Sequence, residues 1–144
     1  MATFTATLAT PLTPEEAFGY LADLRNLRDW DPGTEEVARV SGSGEEGTEY
    51  AVKLSFGVRP VLRYRITEYE SPRRIRFRAS TAFLTSDDCV EVWPAASGGA
   101  IVRYDATLSL RGPLRLMDSG AGVFLRRLGA KAARGLRGAL GARV

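Results

Sequence analysis

Large apolar side chains return at steps of three and four through the last part of the chain. Met117, Ala121, Phe124, Leu125, Leu128, Ala132, Leu136, Ala139 and Leu140 share one arc at about 100° per residue. Arg126, Arg127, Lys131, Arg134 and Arg137 fall on the opposite side. The pattern predicts one long amphipathic helix over residues 113–144, whose apolar stripe needs another element to cover it. Before it the period changes from three and a half to two. Phe4, Ala6 and Leu8 alternate with threonines in a first strand. Thr13-Pro14-Glu15-Glu16 then reads as a capping box with proline at the first helical position, opening a helix through Ala17, Phe18, Tyr20 and Leu21. A second short helical turn is expected over residues 24–29, ending before Pro32-Gly33.

From Thr34 to Leu110 the alternation is that of an antiparallel meander. A strand over residues 34–40 is followed by a glycine-rich loop, and then by Tyr50, Val52, Leu54 and Phe56 on one face of the next strand. Leu62, Tyr64 and Ile66, then Ile75, Phe77 and Ala79, continue that face across two turns containing Pro60 and Pro72. A strand over about residues 83–93, a Gly98-Gly99 hairpin, and Val102, Tyr104, Ala106, Leu108 and Leu110 complete it. One face is buried and one faces water, so the expectation is a single curved sheet around the C-terminal helix.

Charge refines this picture. Residues 1–110 carry 12 Lys/Arg against 16 Asp/Glu, whereas residues 111–144 carry 8 basic residues and only Asp118. The basic surplus sits on the polar side of the final helix, where it serves either as a solvated face or as a contact for anionic membrane. Arg63, Arg65, Arg74, Arg76, Arg78 and Arg103 fall on the outer face of the sheet, with Glu68, Glu91 and Asp105 within reach across the ladder. A nucleic-acid surface would interleave such cations with exposed aromatics, but here the aromatics occupy the other face, so no nucleic acid is expected. The length of 144 residues suits one domain with a core and room for an internal cavity. No apolar run approaches the ~20 residues of a membrane span, and the first residues lack signal-peptide features, so a cytoplasmic location is expected.

The chain has no histidine and one cysteine, Cys89. This removes the commonest general base and the Ser-His-Asp and Cys-His mechanisms, and it argues against zinc; no metal and no cofactor are expected. Cys89 is read as packing or sitting on the outer face rather than reacting, since nothing near it in the sequence would lower its pKa. Asp88 shares parity with Val90 and Val92 and therefore points inward, beside Tyr64 or Tyr104. There it is a weak catalytic candidate with those tyrosines, as a ligand-orienting acceptor or a base of raised pKa; the alternative is a solvated carboxylate near the strand's end. Trp30, set between Asp29 and Asp31, either plugs the core or forms part of a pocket entrance. Glycines at 120, 122, 129, 135, 138 and 141 weaken the final helix, leaving space beneath it or letting backbone approach backbone.

Pro14-Glu15-Glu16-Ala17-Phe18-Gly19-Tyr20-Leu21-Ala22-Asp23, followed by Asn26-Leu27-Arg28-Asp29-Trp30-Asp31-Pro32-Gly33, resembles the opening of the START-like (SRPBCC) superfamily. More narrowly it resembles the polyketide cyclase/dehydrase and lipid transport branch, as do the Ser71-Pro72-Arg73-Arg74-Ile75 turn and Leu110-Arg111-Gly112-Pro113-Leu114. The resemblance covers residues 1–144 as a single START-like domain. It implies an α+β helix-grip fold (START/Bet v 1-like), a curved antiparallel sheet wrapped around the long C-terminal helix, with two short helices after the first strand. It also implies a cavity between sheet and helix for a hydrophobic or amphipathic small molecule such as a lipid or polyketide. Trp30, Tyr50, Leu54, Phe56, Tyr64, Phe77, Tyr104, Met117, Phe124 and Leu128 are the expected wall. Binding or carrying is the function implied; the alternative is a cyclase/dehydratase-like enzyme using the inward aspartate and a tyrosine as acid/base pair.

Overall fold

A computed structural model describes residues 2–55, 57–96, 98–112 and 118–141. The side chains of residues 2, 118–122, 124 and 125 lie outside the description. Strand β1 (Ala2–Thr10) is followed by helix α1 (Pro14–Ala22), a 3-10 turn (Leu24–Asn26) and the single-turn helix α2 (Leu27–Trp30). Six further strands follow: β2 (Thr34–Ser41), β3 (Glu49–Leu54), β4 (Val61–Glu70), β5 (Arg74–Ser80), β6 (Leu84–Pro94) and β7 (Ala100–Leu110). Helix α3 (Asp118–Gly141) closes the described chain. All seven strands form one antiparallel sheet in the order β1-β7-β6-β5-β4-β3-β2. This is the expected helix-grip arrangement. The expected second helix splits into the 3-10 turn and α2.

Local chemistry accounts for the elements. The Thr13 hydroxyl accepts from the Glu16 backbone N–H at 3.2 Å, and the Glu16 carboxylate accepts from the Thr13 N–H at 3.0 Å, closing the capping box that starts α1. Alternation along β3, β4 and β5 turns Tyr50, Val52, Leu62, Tyr64, Ile66, Ile75 and Phe77 inward, all buried. On β4 the register shifts between Ile66 and Glu68. That bulge lets Tyr69 take the inward direction, where its ring meets Phe18 of α1 at 5.5 Å, and releases Glu68 outward. On the outer face Glu68 pairs with Arg74 at 3.2 Å and Arg76 at 3.5 Å, and Asp105 pairs with Arg103 at 3.0 Å. Such solvated pairs contribute about 0–1 kcal/mol each. Their service is to keep charge on the convex side.

Helix α3 runs along β1 and against α2. Gly129 lies over Phe4, Gly33 faces Leu128, and the Thr10 hydroxyl donates to the Leu140 carbonyl at 3.3 Å. Leu136 and Leu140 are buried, whereas Arg126, Arg127, Lys131, Arg134 and Arg137 are exposed. Burying each leucine stabilises by about 1.5–3 kcal/mol. Two helix glycines explain the close approach. A Cβ on Gly129 would stand 2.5 Å from the Phe4 ring, and one on Gly135 would run into the Trp30 carbonyl oxygen. Gly138, by contrast, faces open space.

The contrast sets a paired test. Gly138→Ala should raise the thermal midpoint, since alanine is worth up to about 1 kcal/mol over glycine within a helix. Gly135→Ala should lower it despite the same propensity gain, because overpacking costs about 1–3 kcal/mol. Thermal melts of both variants beside wild type check the sign, and equal gains would mean α3 does not seat on Trp30.

Candidate functional site

A cavity of about 120 Å³ lies between the concave face of the sheet and α3. Its apolar wall is built from β1 (Phe4, Ala6), β4 (Leu62) and β7 (Ala106, Leu108), and roofed by Leu128, Ala132 and Leu136 of α3. Trp30 stands at the α2 end, its ring 5.4 Å from that of Tyr104 in an edge-on contact.

Polar groups meet on one side of this wall. Strict alternation along β6 directs Ser86 and Asp88 inward with Val90 and Val92. Tyr104 sits opposite Val90 on β7, so its side chain reaches Asp88 along the diagonal, and its hydroxyl donates to Asp88 Oδ2 at 2.5 Å. From β4, the Tyr64 hydroxyl donates to Ser86 Oγ at 2.7 Å. Asp31, in the turn between α2 and β2, is held by the Gly33 N–H at 2.9 Å and the Thr34 hydroxyl at 3.0 Å, and it lines the same cavity.

Burial governs the titration of this cluster. Removal from water pushes the Asp88 carboxyl up to about 7; hydrogen bonds from Tyr104 and Ser86 oppose the rise, and the charges of Asp31 and Asp87 reinforce it. What surface Asp88 retains faces the cavity. Burial also raises Asp31, against the pull of its two donors. The Tyr64 and Tyr104 hydroxyls are raised by burial first and by the Asp88 charge second, so both stay protonated at neutral pH. The arrangement offers a carboxyl of raised pKa and a phenol in contact on a largely apolar wall.

Of the residues expected on the wall, the structure places Trp30, Leu54, Tyr64, Tyr104 and Leu128 there, along with Asp88. Two expected wall residues lie elsewhere. Tyr50 is buried near Asp23 and Leu24, under the short helices rather than under α3. Phe77 is sealed off by its own neighbours, the Tyr64 ring at 5.7 Å and the Tyr104 ring at 6.5 Å. Phe56, Met117 and the Phe124 side chain lie outside the described residues. Ser86 and Asp31 are additions that the sequence pattern does not single out. Ser86 carries a usable signal, the same parity as Asp88; Asp31 has none, because a turn has no period to read. Cys89 points the other way from Asp88 and is buried beside Arg74, with its thiol raised by that burial, as suits a packing residue.

The sequence profile of the family described as polyketide cyclase / dehydrase and lipid transport matches residues 1–142. No curated protein matches the chain. Among solved structures, a START superfamily protein from Mycobacterium smegmatis is similar with a TM-score of 0.74 at 13% identity, over 100% of this chain and 97% of that one. A protein from Thermus thermophilus gives a TM-score of 0.72 at 18% identity, over 93% of each chain. The Bacillus cereus protein XoxI gives 0.71 at 14% identity, over 97% of this chain and 96% of its own. At these identities the likeness is one of fold.

The buried carboxyl makes stability depend on pH in a stated direction. An unfolded aspartate releases its proton near pH ~4, whereas Asp88 in the native protein holds it to about 7. Between those values the native state binds more protons than the unfolded state, so stability falls as pH rises through that window and levels off above it. Asp88→Asn keeps an acceptor for Tyr104 and removes the cost of ionisation. It should be more stable than wild type by about 2–4 kcal/mol at pH ~8 and lose that advantage towards pH ~4. Denaturant titrations at both pH values decide it; a pH-independent difference would mean Asp88 is solvated.

Proposed function

The chain belongs to the polyketide cyclase / dehydrase and lipid transport family, and from that premise we propose that its cavity binds one small, largely apolar molecule by a polar group held at Asp88 and Tyr104. The observation that carries this reading is the Asp88–Tyr104 pair, a carboxyl and a phenol 2.5 Å apart on an otherwise mostly apolar wall. Ligand sites commonly take this form, an apolar enclosure with a few convergent polar groups that fix orientation. The volume narrows the occupant. A dry cavity of roughly 150 Å³ accommodates benzene, so about 120 Å³ suits a one-ring compound or the end of a longer chain rather than a whole two-tailed lipid. Alanines at 6, 106, 132 and 133 supply the space, since a larger side chain at any of them would occupy it.

The same pair supports a second reading, acid/base catalysis of the cyclase or dehydratase kind. A base is most effective when its pKa lies near the working pH, and Asp88 at about 7 meets that condition. Asp88 would take a proton from carbon, and Tyr104 would turn its hydrogen from Asp88 to the oxygen that becomes negative. Binding is preferred because it needs only the observed arrangement, while catalysis needs that rotation.

Native mass spectrometry of protein purified from its own host, followed by extraction, should show a stoichiometric small molecule. Ala132→Leu should fill the cavity and abolish that adduct while keeping the fold by circular dichroism. A protein that is empty and takes up no neutral apolar compound overturns the reading. Incubation of the extracted molecule with excess protein then separates the two functions. Under the catalytic reading its mass or connectivity changes, and Asp88→Asn and Tyr104→Phe each slow the change by about a hundredfold or more. Under the binding reading it is recovered unchanged.

A further inference from the structure

The cavity has a chemical sign. Two carboxyl groups, Asp31 and Asp88, stand on its wall, and among the described residues no lysine or arginine does. The hydrogen-bond directions point the same way. Tyr64 gives its only hydroxyl hydrogen to Ser86, and Tyr104 gives its own to Asp88. Ser86, having accepted from Tyr64, has its hydrogen left for Asp88, whose carboxyl it stabilises in the charged form. The chain of donors therefore ends on Asp88. Asp31 accepts one bond on each oxygen, from Gly33 and from Thr34. A carboxylate has about four lone-pair sites, so both aspartates keep unused acceptor capacity. What the described wall lacks is a counter-charge.

From this juxtaposition, and resting on the reading of the cavity as a ligand site, we infer that the ligand's polar group is a hydrogen-bond donor, specifically an amine carried as its ammonium, and that carboxylates and phosphates are excluded. An ammonium supplies the missing cation to Asp88 and Asp31 and donates up to three hydrogen bonds into their open lone pairs. Trp30, Tyr64 and Tyr104 add aromatic rings to the same wall, the surroundings in which organic cations are favoured. A carboxylate would instead bring a third acidic group beside two others with no cation on the described wall to compensate, a juxtaposition that rejects partners. The ammonium gives up its own hydration on entry, so the preference is moderate rather than extreme.

Four one-ring probes of matched size test this on the full chain: benzylamine, benzyl alcohol, toluene and benzoate, titrated at pH ~8, above the value of about 7 to which burial raises Asp88. Amide chemical shifts in two-dimensional NMR report both affinity and site. The expected result is that benzylamine binds at least about tenfold more tightly than benzyl alcohol, that toluene shifts the same cavity residues, and that benzoate shows no saturable binding there. Asp88→Asn should bring benzylamine down to the affinity of benzyl alcohol, while toluene, which has no polar group to hold, stays within about twofold. Asp31→Asn serves as the second variant if Asp88→Asn does not fold, with the same expectation in direction. Benzoate binding as well as benzylamine, or a benzylamine affinity unmoved by the folded variants, overturns the inference while leaving the cavity a ligand site. If toluene and benzyl alcohol also fail to bind, the site reading fails with it.

Discussion

The seating of α3 on β1 and α2 is the constraint from which the rest of the interior follows. An apolar helix face and a concave apolar sheet will associate in many ways, but the glycines select one. Gly129 admits the Phe4 ring and Gly135 admits the Trp30 carbonyl, so the helix comes down to backbone distance at those two points. Beside and between them Leu128, Ala132 and Leu136 roof the cavity, with Ala132 alone lying between the two glycines. Tight contact along one edge and a small side chain over the middle leave a partly open void between the helix and the sheet. The helix glycines are thus close-approach residues at two positions, and the space beneath α3 comes from alanines.

Given a largely apolar void, the polar groups on its wall acquire properties they would lack in water. A carboxyl on a strand is ordinary; a carboxyl turned inward by the parity of β6 and covered by α3 is driven toward its neutral form. The protein answers part of that cost with donors. Tyr104 and Ser86 hold Asp88, while Gly33 and Thr34 hold Asp31. No cation on the described wall answers the rest. The outer face shows the opposite solution, with Glu68, Asp87 and Asp105 each within 3.5 Å of an arginine. Carboxylates are matched by cations where water already helps and left without them where it does not. A protein that kept only stability in view would carry an apolar residue at 88, because burying a carboxyl without a cation costs free energy that its donors return only in part.

Much of this was legible in the linear order of residues, and the reason is periodicity. The step of two from Tyr50 to Leu110, the step of three and four through α3, and the Thr13–Glu16 capping box are local patterns, and local geometry follows from them directly. The family motifs at residues 14–33 and 71–75 add the topology that local patterns leave open. The inward direction of Asp88 follows from the same parity, as that of Ser86 could have done.

The sequence by itself therefore determined which residues of the regular strands and of α3 face inward, because side-chain direction there depends on neighbours in the chain; Tyr69, turned inward by the β4 bulge, is the exception. It could not say which inward residues border empty space and which are packed solid. Tyr50 and Tyr64 are indistinguishable by pattern, yet one is buried under the short helices and the other lines the cavity, since the difference is made by what crosses above them. Asp31 belongs to the site only because a turn between α2 and β2 is folded back beneath α3, far away along the chain, and no local rule records that meeting. Direction is a property of the strand. Burial, and with it the titration of the inward carboxyls, is a property of the assembled layers.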